Sequence, residues 1–431
     1  MDQSLDELTA HLLNRLRLVQ QNLGMATDSA ASPQARFADL IDSMGLVEFA
    51  AVLAEDCGVP PAAVEASVKG NFGTIAELAQ AMHSTGMRPQ RPAEHAAIGT
   101  PQPSPMASKG SAASGPGAWL AATAVRLPAT VQTAASMNEA IGRPPGWLEN
   151  HAGIAQRRIW ANEDPLQATA EAARDCLEQA GLKPRDISAV LVTSEAPPLL
   201  AGLAAALHYR LGLGPRVAAL EVGGACTGFL AALWTAQALL PHTGAVLVIA
   251  VEAHSHHLLL EPGASGEAAA LFGDAVAACL LCDRPAGAQS VALEDIVIGA
   301  DGGLARLLRL ERSAAGVMLR MEGVALASRA VRVMANGVRE IAGRHGISLS
   351  DLAAVVAHGG NGRMPALLAR QLDLPLDRIW SETAHTGNLG SASLPVAWAA
   401  HAPVPRGPFA WTAVGAGLTW GAALTGVTVR S

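Results

Sequence analysis

A proline-rich stretch separates the chain into a small and a large part. Residues 86–117 contain six prolines among serine, alanine and glycine, and they carry neither a helical nor a strand periodicity. This composition is typical of a linker that its prolines partly extend. The sequence therefore predicts a small unit over 1–85, a linker over 86–117, and a large unit over 118–431.

The acidic residues are concentrated in the small unit. Residues 1–85 hold eleven acidic and four basic residues, so they carry the entire formal net charge of −7. An acidic chain argues against a nucleic-acid binder, which is normally basic. The sequence has no apolar run of about 18 residues, and its first residues lack the basic and apolar segments expected of a secretory signal. The five cysteines, an odd number, suit a reducing compartment. We expect a cytoplasmic protein without nucleic-acid or membrane partners.

The small unit has the pattern of an all-α, four-helix domain. Leucines repeat at helical spacing over residues 5–16, and Asp42 is a natural N-cap for a helix that begins at Ser43. A capping box at Thr74–Glu77 opens the last helix. No strand periodicity is evident in this part of the sequence.

Ser43 lies where a helix N-terminus would favour a phosphate group. A phosphodiester on its hydroxyl would meet free backbone N–H groups at the positive end of the helix dipole. The tripeptide Asp42-Ser43-Met44 resembles the Asp-Ser-Leu motif of acyl carrier proteins, with Met in place of Leu. The resemblance implies a covalent 4′-phosphopantetheine on Ser43, attached by a phosphopantetheinyl transferase. The alternative is that Asp42 or Ser43 only caps the helix, which is common.

The large unit alternates between short apolar runs and helical segments. Ala189–Val192 and Ala245–Val251 suit buried strands. Pro165–Ala180 and Ala325–Arg344 have helical length and composition. This alternation predicts an α/β architecture.

The segment Gly223–Phe229 places a cysteine between glycines, directly before a helical pattern. A helix N-terminus stabilises a thiolate, and flanking glycines permit a tight turn and close substrate approach. Cys226 is therefore a candidate nucleophile that becomes acylated. His358 ends an apolar strand and Asn388 lies in a glycine-rich loop, so both are candidate partners that activate the thiol or polarise a carbonyl. Taken singly, each also has an ordinary interpretation as a strand-closing or turn residue.

The other cysteines and a histidine cluster have less distinctive surroundings. The four remaining cysteines lie in apolar or helical contexts, which is typical of cysteines that act as small buried hydrophobes. His254, His256 and His257 are interpreted as surface-loop histidines, because no carboxylate or thiol completes a metal-binding spacing. We expect no metal site.

Six motifs of the large unit, in the same order along the chain, resemble the β-ketoacyl-acyl carrier protein synthase III branch of the thiolase-like condensing enzymes. They are Gly146-Trp147 with Gly153–Arg158, Gly224–Phe229, Leu271–Asp274, His358–Asn361, Gly387-Asn388 and Gly415–Gly421. The resemblance implies a duplicated, five-layered α-β-α-β-α fold, usually in an obligate homodimer. The half over 118–285 would carry the cysteine, and the half over 286–431 would carry the histidine and asparagine.

The resemblance also implies a mechanism for this acyltransferase. Cys226 would attack an acyl thioester and become S-acylated, with the backbone N–H groups of Cys226 and Ala416 as the oxyanion hole. His358 and Asn388 would then stabilise the enolate left when a malonyl-type thioester loses carbon dioxide. Attack of that carbanion on the acyl-cysteine gives a β-ketoacyl thioester.

Departures from the family pattern point to polyketide or related secondary metabolism. His151 stands where members that bind coenzyme A have an arginine, four residues after Trp147. This weakens the case for coenzyme A as the donor and leaves carrier-bound thioesters open. Ala416 replaces a usual glycine, and a linked carrier domain is not the ordinary arrangement. Asn361 and Arg363 match family positions expected to bind substrate or carrier, and the Arg363 cation suits an acidic carrier surface.

Two other functions stay open at this point. On the same scaffold, His358 as a general base would transfer the acyl group to an oxygen or nitrogen nucleophile without release of carbon dioxide. The presence of Asn388 favours condensation. A non-catalytic scaffold that docks carrier proteins is the third interpretation, and the retained Cys226 argues against it.

Overall fold

The protein is described here from a computed structural model. The described residues are 3–22, 32–34, 49, 53, 56–57, 74–89, 117–198, 202–313, 316–321 and 323–427. The chain divides into two compact units, 1–114 with 322–329 and 115–321 with 330–431. The predicted domain limits stay predictions, because most of the proline-rich stretch lies outside the described residues.

The small unit contains the helices α1 (Gln3–Asn22) and α2 (Ile75–Ser84), which pack against each other. Their apolar faces form a core, as the leucine spacing predicts; its fully buried residues include Leu12, Leu16, Val19, Phe49, Leu53, Ile75 and Leu78. The predicted capping box is present, with Thr74 Oγ1 accepting from Glu77 N at 3.2 Å. The Asp42-Ser43-Met44 motif lies outside the described residues, so the four-helix carrier fold stays a prediction.

The large unit is an α/β domain, as predicted. Its strands are β1 Trp119–Arg126, β2 Thr130–Thr133, β3 Gln156–Ile159, β4 Ala189–Thr193, β5 Ala218–Glu221, β6 Ala245–Glu252, β7 Ala275–Cys282, β8 Val291–Ala300, β9 Leu308–Ser313, β10 Gly316–Met321, β11 Ala354–Ala357, β12 Ile379–Trp380, β13 Phe409–Gly415 and β14 Thr419–Thr425. The helices after residue 115 are α3 Ala134–Ala140, α4 Trp147–Ala152, α5 Pro165–Gln179, α6 Leu203–Arg210, α7 Gly228–Thr243, α8 Ala264–Ala269, α9 Gly323–Arg344, α10 Met364–Leu372, α11 Thr383–Thr386 and α12 Ser393–Ala400.

Ten of these strands form one sheet in the order β12-β11-β13-β14-β8-β1-β7-β6-β4-β5. In the first half, β5, β4 and β6 are parallel, and β7 and then β1 follow antiparallel. The second half repeats this arrangement with β12, β11 and β13, then β14 and β8. The sheet is therefore a duplicated five-stranded unit, joined through the antiparallel pair β1–β8.

The helices α7 and α12 form the central layer between the two halves. Helix α7 contacts β4 and β6 of the first half and β8 and β14 of the second. Helix α12 contacts β1 and β7 on one side and β11 and β13 on the other. Both helices are apolar around most of their circumference, as expected when both sides are covered. Helix α7 begins just after Cys226, and helix α12 begins a few residues after Asn388. The central layer therefore positions the loops that carry these two candidate site residues.

In the part of the chain that the structure describes, no helix combines the length and the apolar character that crossing a bilayer requires.

Candidate active site

Cys226 lies in a single 3-10 turn that leads directly into the central helix α7. The turn is sharp: Gly224 has a φ of 139°, and Ala225 has a φ of 49°, which is rare for a residue with a side chain. A methyl group on Gly228 would overlap the Thr193 hydroxyl, which explains the glycine at the helix start. The thiol is thus held rigidly, with Cys226 only 6% exposed.

A second turn, after β13, lies against the cysteine turn. A Cβ on Gly415 would come within 3.0 Å of the backbone of that turn. The hydroxyl oxygens of Thr227 and Thr419 are 2.9 Å apart, and the Thr419 hydroxyl donates to the Ala416 carbonyl at 3.0 Å. These contacts fix the relative position of the two turns that carry the Cys226 and Ala416 N–H groups. Their role as an oxyanion hole stays a prediction.

The amide of Asn388 contacts the thiol of Cys226. A hydrogen bond from Asn388 to the thiol partly offsets the rise in the Cys226 pKa that burial causes. The Asn388 Oδ1 accepts from Gly390 N at 2.9 Å, so the Nδ2 donor is the atom that faces the sulfur. The backbone of Asn388 is hydrogen-bonded to the Leu271–Asp274 motif: Asn388 N donates to Leu271 O at 2.7 Å. That motif therefore serves to hold the asparagine loop.

His358 follows β11 and is buried. Its Nδ1 lies 3.2 Å from the Ser393 hydroxyl at the start of α12. Burial lowers the pKa of His358 from 6.5 to about 4, so the imidazole is neutral at physiological pH. A hydroxyl that donates to Nδ1 leaves the proton on Nε2, which makes Nε2 a neutral hydrogen-bond donor.

One short segment brings the three predicted residues together. Asn388, at its start, bonds to Cys226, and Ser393, at its end, contacts His358. The turn between them, Gly390–Ala392, packs on the cysteine turn. The structure therefore assembles the cysteine, histidine and asparagine around the N-terminus of α12.

Two glutamates that were not predicted from the sequence complete the site: Glu252 is buried and Glu195 is half-buried. The Cys226 thiol donates to Glu195 Oε2 at 3.0 Å. Glu252 accepts from the backbone N–H groups of Glu195 at 3.0 Å, Ala196 at 2.9 Å and Ser391 at 2.9 Å. Burial raises the pKa of both carboxyls above the usual 4.5, that of Glu252 to about 7.

The resting cysteine therefore differs from the dipole-stabilised thiolate that the sequence predicts. Burial, followed by the Glu195 carboxylate, raises the pKa of Cys226 well above its usual 9.0. Removing a thiolate from water, next to a second negative charge, opposes the stabilisation that the helix dipole offers. The sulfur is a neutral thiol at rest, and a base must take its proton during attack.

The histidine cluster is bound to backbone carbonyls. His256 and His257 contact the carbonyls of residues 160 and 197 at 3.2 and 2.6 Å. The surface-loop prediction is wrong for His254, which is buried beneath the Phe272 ring and bonds to Gly273 O at 2.8 Å. Within the described ranges, no group of three histidine, cysteine or acidic side chains has the geometry to hold a metal ion.

The predicted substrate-binding residues lie on α4 and just before α10. The Trp147 ring stacks on His151 at 4.8 Å, and the Arg143 guanidinium lies 5.3 Å from its centre. The Asn361 Oδ1 accepts from Arg363 N at 3.0 Å and so caps α10. The half-buried Arg363 side chain has no carboxylate partner among the described residues.

Two family models match the large unit. The model described as 3-oxoacyl-[acyl-carrier-protein (ACP)] synthase III matches residues 220–302. The model of the C-terminal part of the same enzymes matches residues 343–427. The matched ranges contain Cys226, His358 and Asn388.

Similar proteins and structures agree with these models. A β-ketoacyl-[acyl-carrier-protein] synthase III from Pseudomonas aeruginosa is 35% identical over 289 residues, 64% of this chain and 86% of the relative. A 3-oxopimeloyl-[acyl-carrier-protein] synthase from Rhodothermus marinus is 32% identical and covers 69% of this chain and 90% of the relative. The crystal structure of a 3-oxoacyl-(acyl carrier protein) synthase III from Pseudomonas aeruginosa superposes with a TM-score of 0.65 at 30% identity, over 72% of this chain and 98% of that one. A priming β-ketosynthase from a polyketide biosynthetic pathway gives 0.64 at 25% identity, over 72% of this chain and 96% of that one.

Proposed function

Since this chain belongs to the β-ketoacyl-[acyl-carrier-protein] synthase III family, we propose that it catalyses a decarboxylative Claisen condensation. Cys226 is acylated by a thioester, and the acyl-cysteine is then attacked by the carbanion of a malonyl-type thioester. The observation that carries this proposal is the 388–393 segment, which joins the thiol of Cys226, the amide of Asn388 and the imidazole of His358.

The charge states of these groups suit the decarboxylation step. Loss of carbon dioxide leaves a negative charge on the thioester oxygen of the malonyl unit. The His358 Nε2–H and the Asn388 Nδ2–H are neutral donors in a buried site, where a hydrogen bond to a developing charge is strongest. A neutral histidine also avoids protonating the carbanion before it attacks the acyl-cysteine.

We infer a carrier-bound acyl donor rather than coenzyme A. The Trp147 ring, at a position that helps to bind coenzyme A in other members of the family, is already in contact with His151 and Arg143. The Arg363 cation, which has no carboxylate partner among the described residues, suits an acidic carrier surface. The likeness to a priming ketosynthase of a polyketide pathway supports a role in polyketide or other secondary metabolism.

The acidic N-terminal unit is proposed as a fused carrier domain with 4′-phosphopantetheine on Ser43. The support is the Asp42-Ser43-Met44 motif, the concentration of the net charge in residues 1–85, and the helical core of α1 and α2. A phosphopantetheinyl transferase would be its modifying partner.

A homodimer is also proposed for this protein. Strand β5 is the last strand of the ten-stranded sheet, and none of the described strands pairs with its outer edge. Leu220 on this strand is 47% exposed, which is unusual for a leucine of a sheet. An exposed apolar edge favours pairing with a second copy of the chain.

A second candidate function is acyl transfer to an oxygen or nitrogen nucleophile on the same scaffold. The position of Glu195 favours it, because a carboxylate that lies 3.0 Å from the Cys226 sulfur can deprotonate a hydroxyl or amine that approaches the acyl-cysteine. This reaction would release no carbon dioxide.

Intact-protein mass spectrometry tests both attachment sites in the full-length protein. After phosphopantetheinyl transferase treatment, we expect the mass of one phosphopantetheine, lost in Ser43→Ala. Acyl thioesters on coenzyme A or on carrier protein should add an acyl group that is lost in Cys226→Ala. Cys282→Ala is the matched control, because this buried thiol is far in sequence from both Ser43 and Cys226. This variant should retain the acyl group. No acyl adduct with any donor would favour the non-catalytic scaffold.

A further inference from the structure

The thiol of Cys226 and the carboxyl of Glu195 form a hydrogen-bonded, partly buried pair that the proposed roles of Cys226, His358 and Asn388 do not use. Sulfur and oxygen are 3.0 Å apart, within hydrogen-bond distance. In the part of the chain that the structure describes, the Cys226 thiol is the only hydrogen-bond donor to the Glu195 carboxylate. Glu195 is thus free to gain or lose a proton without breaking other bonds.

Glu252 is engaged in a different way. It accepts from three backbone N–H groups and from the Ser391 hydroxyl. These bonds hold the loop that carries Glu195 against the end of β6. Glu252 therefore positions Glu195. The hydrogen-bond donors around the Glu252 carboxylate stabilise its negative charge, and Glu195 does not contact these donors with its own carboxylate.

The two carboxyls converge on Gly390. A Cβ built on this glycine, whose φ is 51°, would lie 2.9 Å from Glu252 Oε1 and 3.1 Å from Glu195 Oε2. Two carboxyls this close do not both ionise freely, and burial adds to the effect. The pKa of Glu195 is raised above 4.5, which makes its carboxylate a stronger base than an exposed glutamate.

We propose that Glu195 is a further catalytic residue, the base that takes the Cys226 thiol proton when the sulfur attacks the acyl thioester. This role rests on the acylation step of the proposed function. As the bond between Cys226 sulfur and the acyl carbon forms, the S–H proton passes to Glu195. The bond between the acyl carbon and the donor's sulfur breaks, and Glu195 returns the proton to that leaving thiolate. The carboxylate is regenerated, and no other reactant is needed.

Three titratable groups on neighbouring elements interact with the Glu195 carboxyl. They are Cys226 before α7, Glu252 at the end of β6, and His254 just after β6. The His254 Nδ1 bonds to Gly273 O, and its Nε2 lies 3.8 Å from Glu252 Oε2 without a hydrogen bond. Burial lowers the pKa of His254, so it is neutral and the local charge comes from the carboxyl pair.

Alkylation by iodoacetamide tests the proton transfer without any thioester. The rate at Cys226, followed by peptide mass spectrometry against pH, should rise already where the Glu195 carboxyl ionises. Glu195→Gln should slow alkylation near neutral pH and leave only the rise at the higher pH where the thiol itself ionises. Glu195→Asp should keep part of the low-pH rise, and Glu178→Gln, at an exposed carboxylate on α5, should match the wild type.

The opposite result would overturn the proposal. If the carboxylate only repels a thiolate, its removal lowers the Cys226 pKa, and Glu195→Gln alkylates as fast or faster near neutral pH. Tryptophan fluorescence checks that each variant is folded.

Acylation by acetyl thioesters, on coenzyme A and on carrier protein, provides the second measurement. Glu195→Gln should slow S-acylation by ~10²–10⁴-fold, the usual contribution of a general base, with Glu195→Asp in between. An unchanged acylation rate would contradict the role. If alkylation behaves as expected but no thioester acylates the wild type, the Glu195–Cys226 proton transfer stands and the proposed function falls.

Discussion

At the scale of single residues, burial sets the protonation state of each group in the site. It keeps His358 neutral, keeps Cys226 a thiol, and makes the two glutamates weaker acids than in water. The site therefore uses neutral hydrogen-bond donors and a carboxylate base rather than a preformed ion pair. These protonation states can be tested by measuring how stability and reactivity depend on pH.

The buried neutral His358 predicts a specific loss of stability in acid. Its pKa is 6.5 when unfolded and about 4 when folded, so only the unfolded chain binds this proton between those values. The stabilisation is complete above pH 6.5 and is lost as the pH falls towards 4. Relative to His358→Gln, the free energy of unfolding of the wild type should fall by on the order of 3 kcal/mol over that pH range.

Urea unfolding followed by tryptophan fluorescence measures this difference. All eight tryptophans lie between residues 119 and 420, so the signal reports the large unit alone. His242→Gln, at an exposed histidine of α7, is the matched control and should track the wild type. Parallel pH dependence in the wild type and His358→Gln would show that the folded histidine titrates normally.

At the scale of elements, the site is assembled by turns that precede or follow buried strands and helices. The sequence predicted the cysteine turn, the histidine after β11 and the asparagine loop, because glycines and apolar runs mark such turns locally. It missed Glu195 and Glu252, since only the pairing of β4 with β6 brings these residues together. The sequence did contain an indication of both residues: Glu195 follows a buried parallel strand and Glu252 ends one. Ligand sites in α/β proteins commonly form at the carboxyl ends of such strands.

Gly273 tests whether the Leu271–Asp274 motif holds the asparagine loop. A methyl group at Gly273 would overlap the backbone carbonyl of Thr386, which cannot rotate away. Gly273→Ala should lower the free energy of unfolding by about 1–3 kcal/mol and reduce turnover, because Asn388 is displaced.

Urea unfolding and steady-state kinetics measure the two effects. Gly343→Ala on α9 is the control, since no atom lies within 4 Å of its Cβ position, and it should be neutral or stabilising by up to about 1 kcal/mol. A Gly273→Ala protein as stable and active as this control would disprove the role of the motif.

At the scale of the whole molecule, the chain combines an α/β unit over 118–431, with a formal net charge of −2, and an acidic helical unit over 1–85, with a formal net charge of −7. The resemblance of six motifs to a known family predicted the duplicated α/β fold, and the sheet order with its two central helices confirms it. The capping box at Thr74 was predicted correctly because it depends on neighbouring residues only. The exposed edge of β5 could not be foreseen, because sheet order depends on contacts between distant segments.

Condensation itself is tested most directly with a malonyl thioester that is isotope-labelled in every malonyl carbon. It is added to wild-type protein already acylated on Cys226, and the gas and the thioester products are analysed by mass spectrometry. We predict labelled carbon dioxide together with a β-ketoacyl thioester that keeps the other labelled carbons, and neither product from Cys226→Ala. Loss of the acyl group from Cys226 to an oxygen or nitrogen acceptor, without labelled carbon dioxide, would contradict the account.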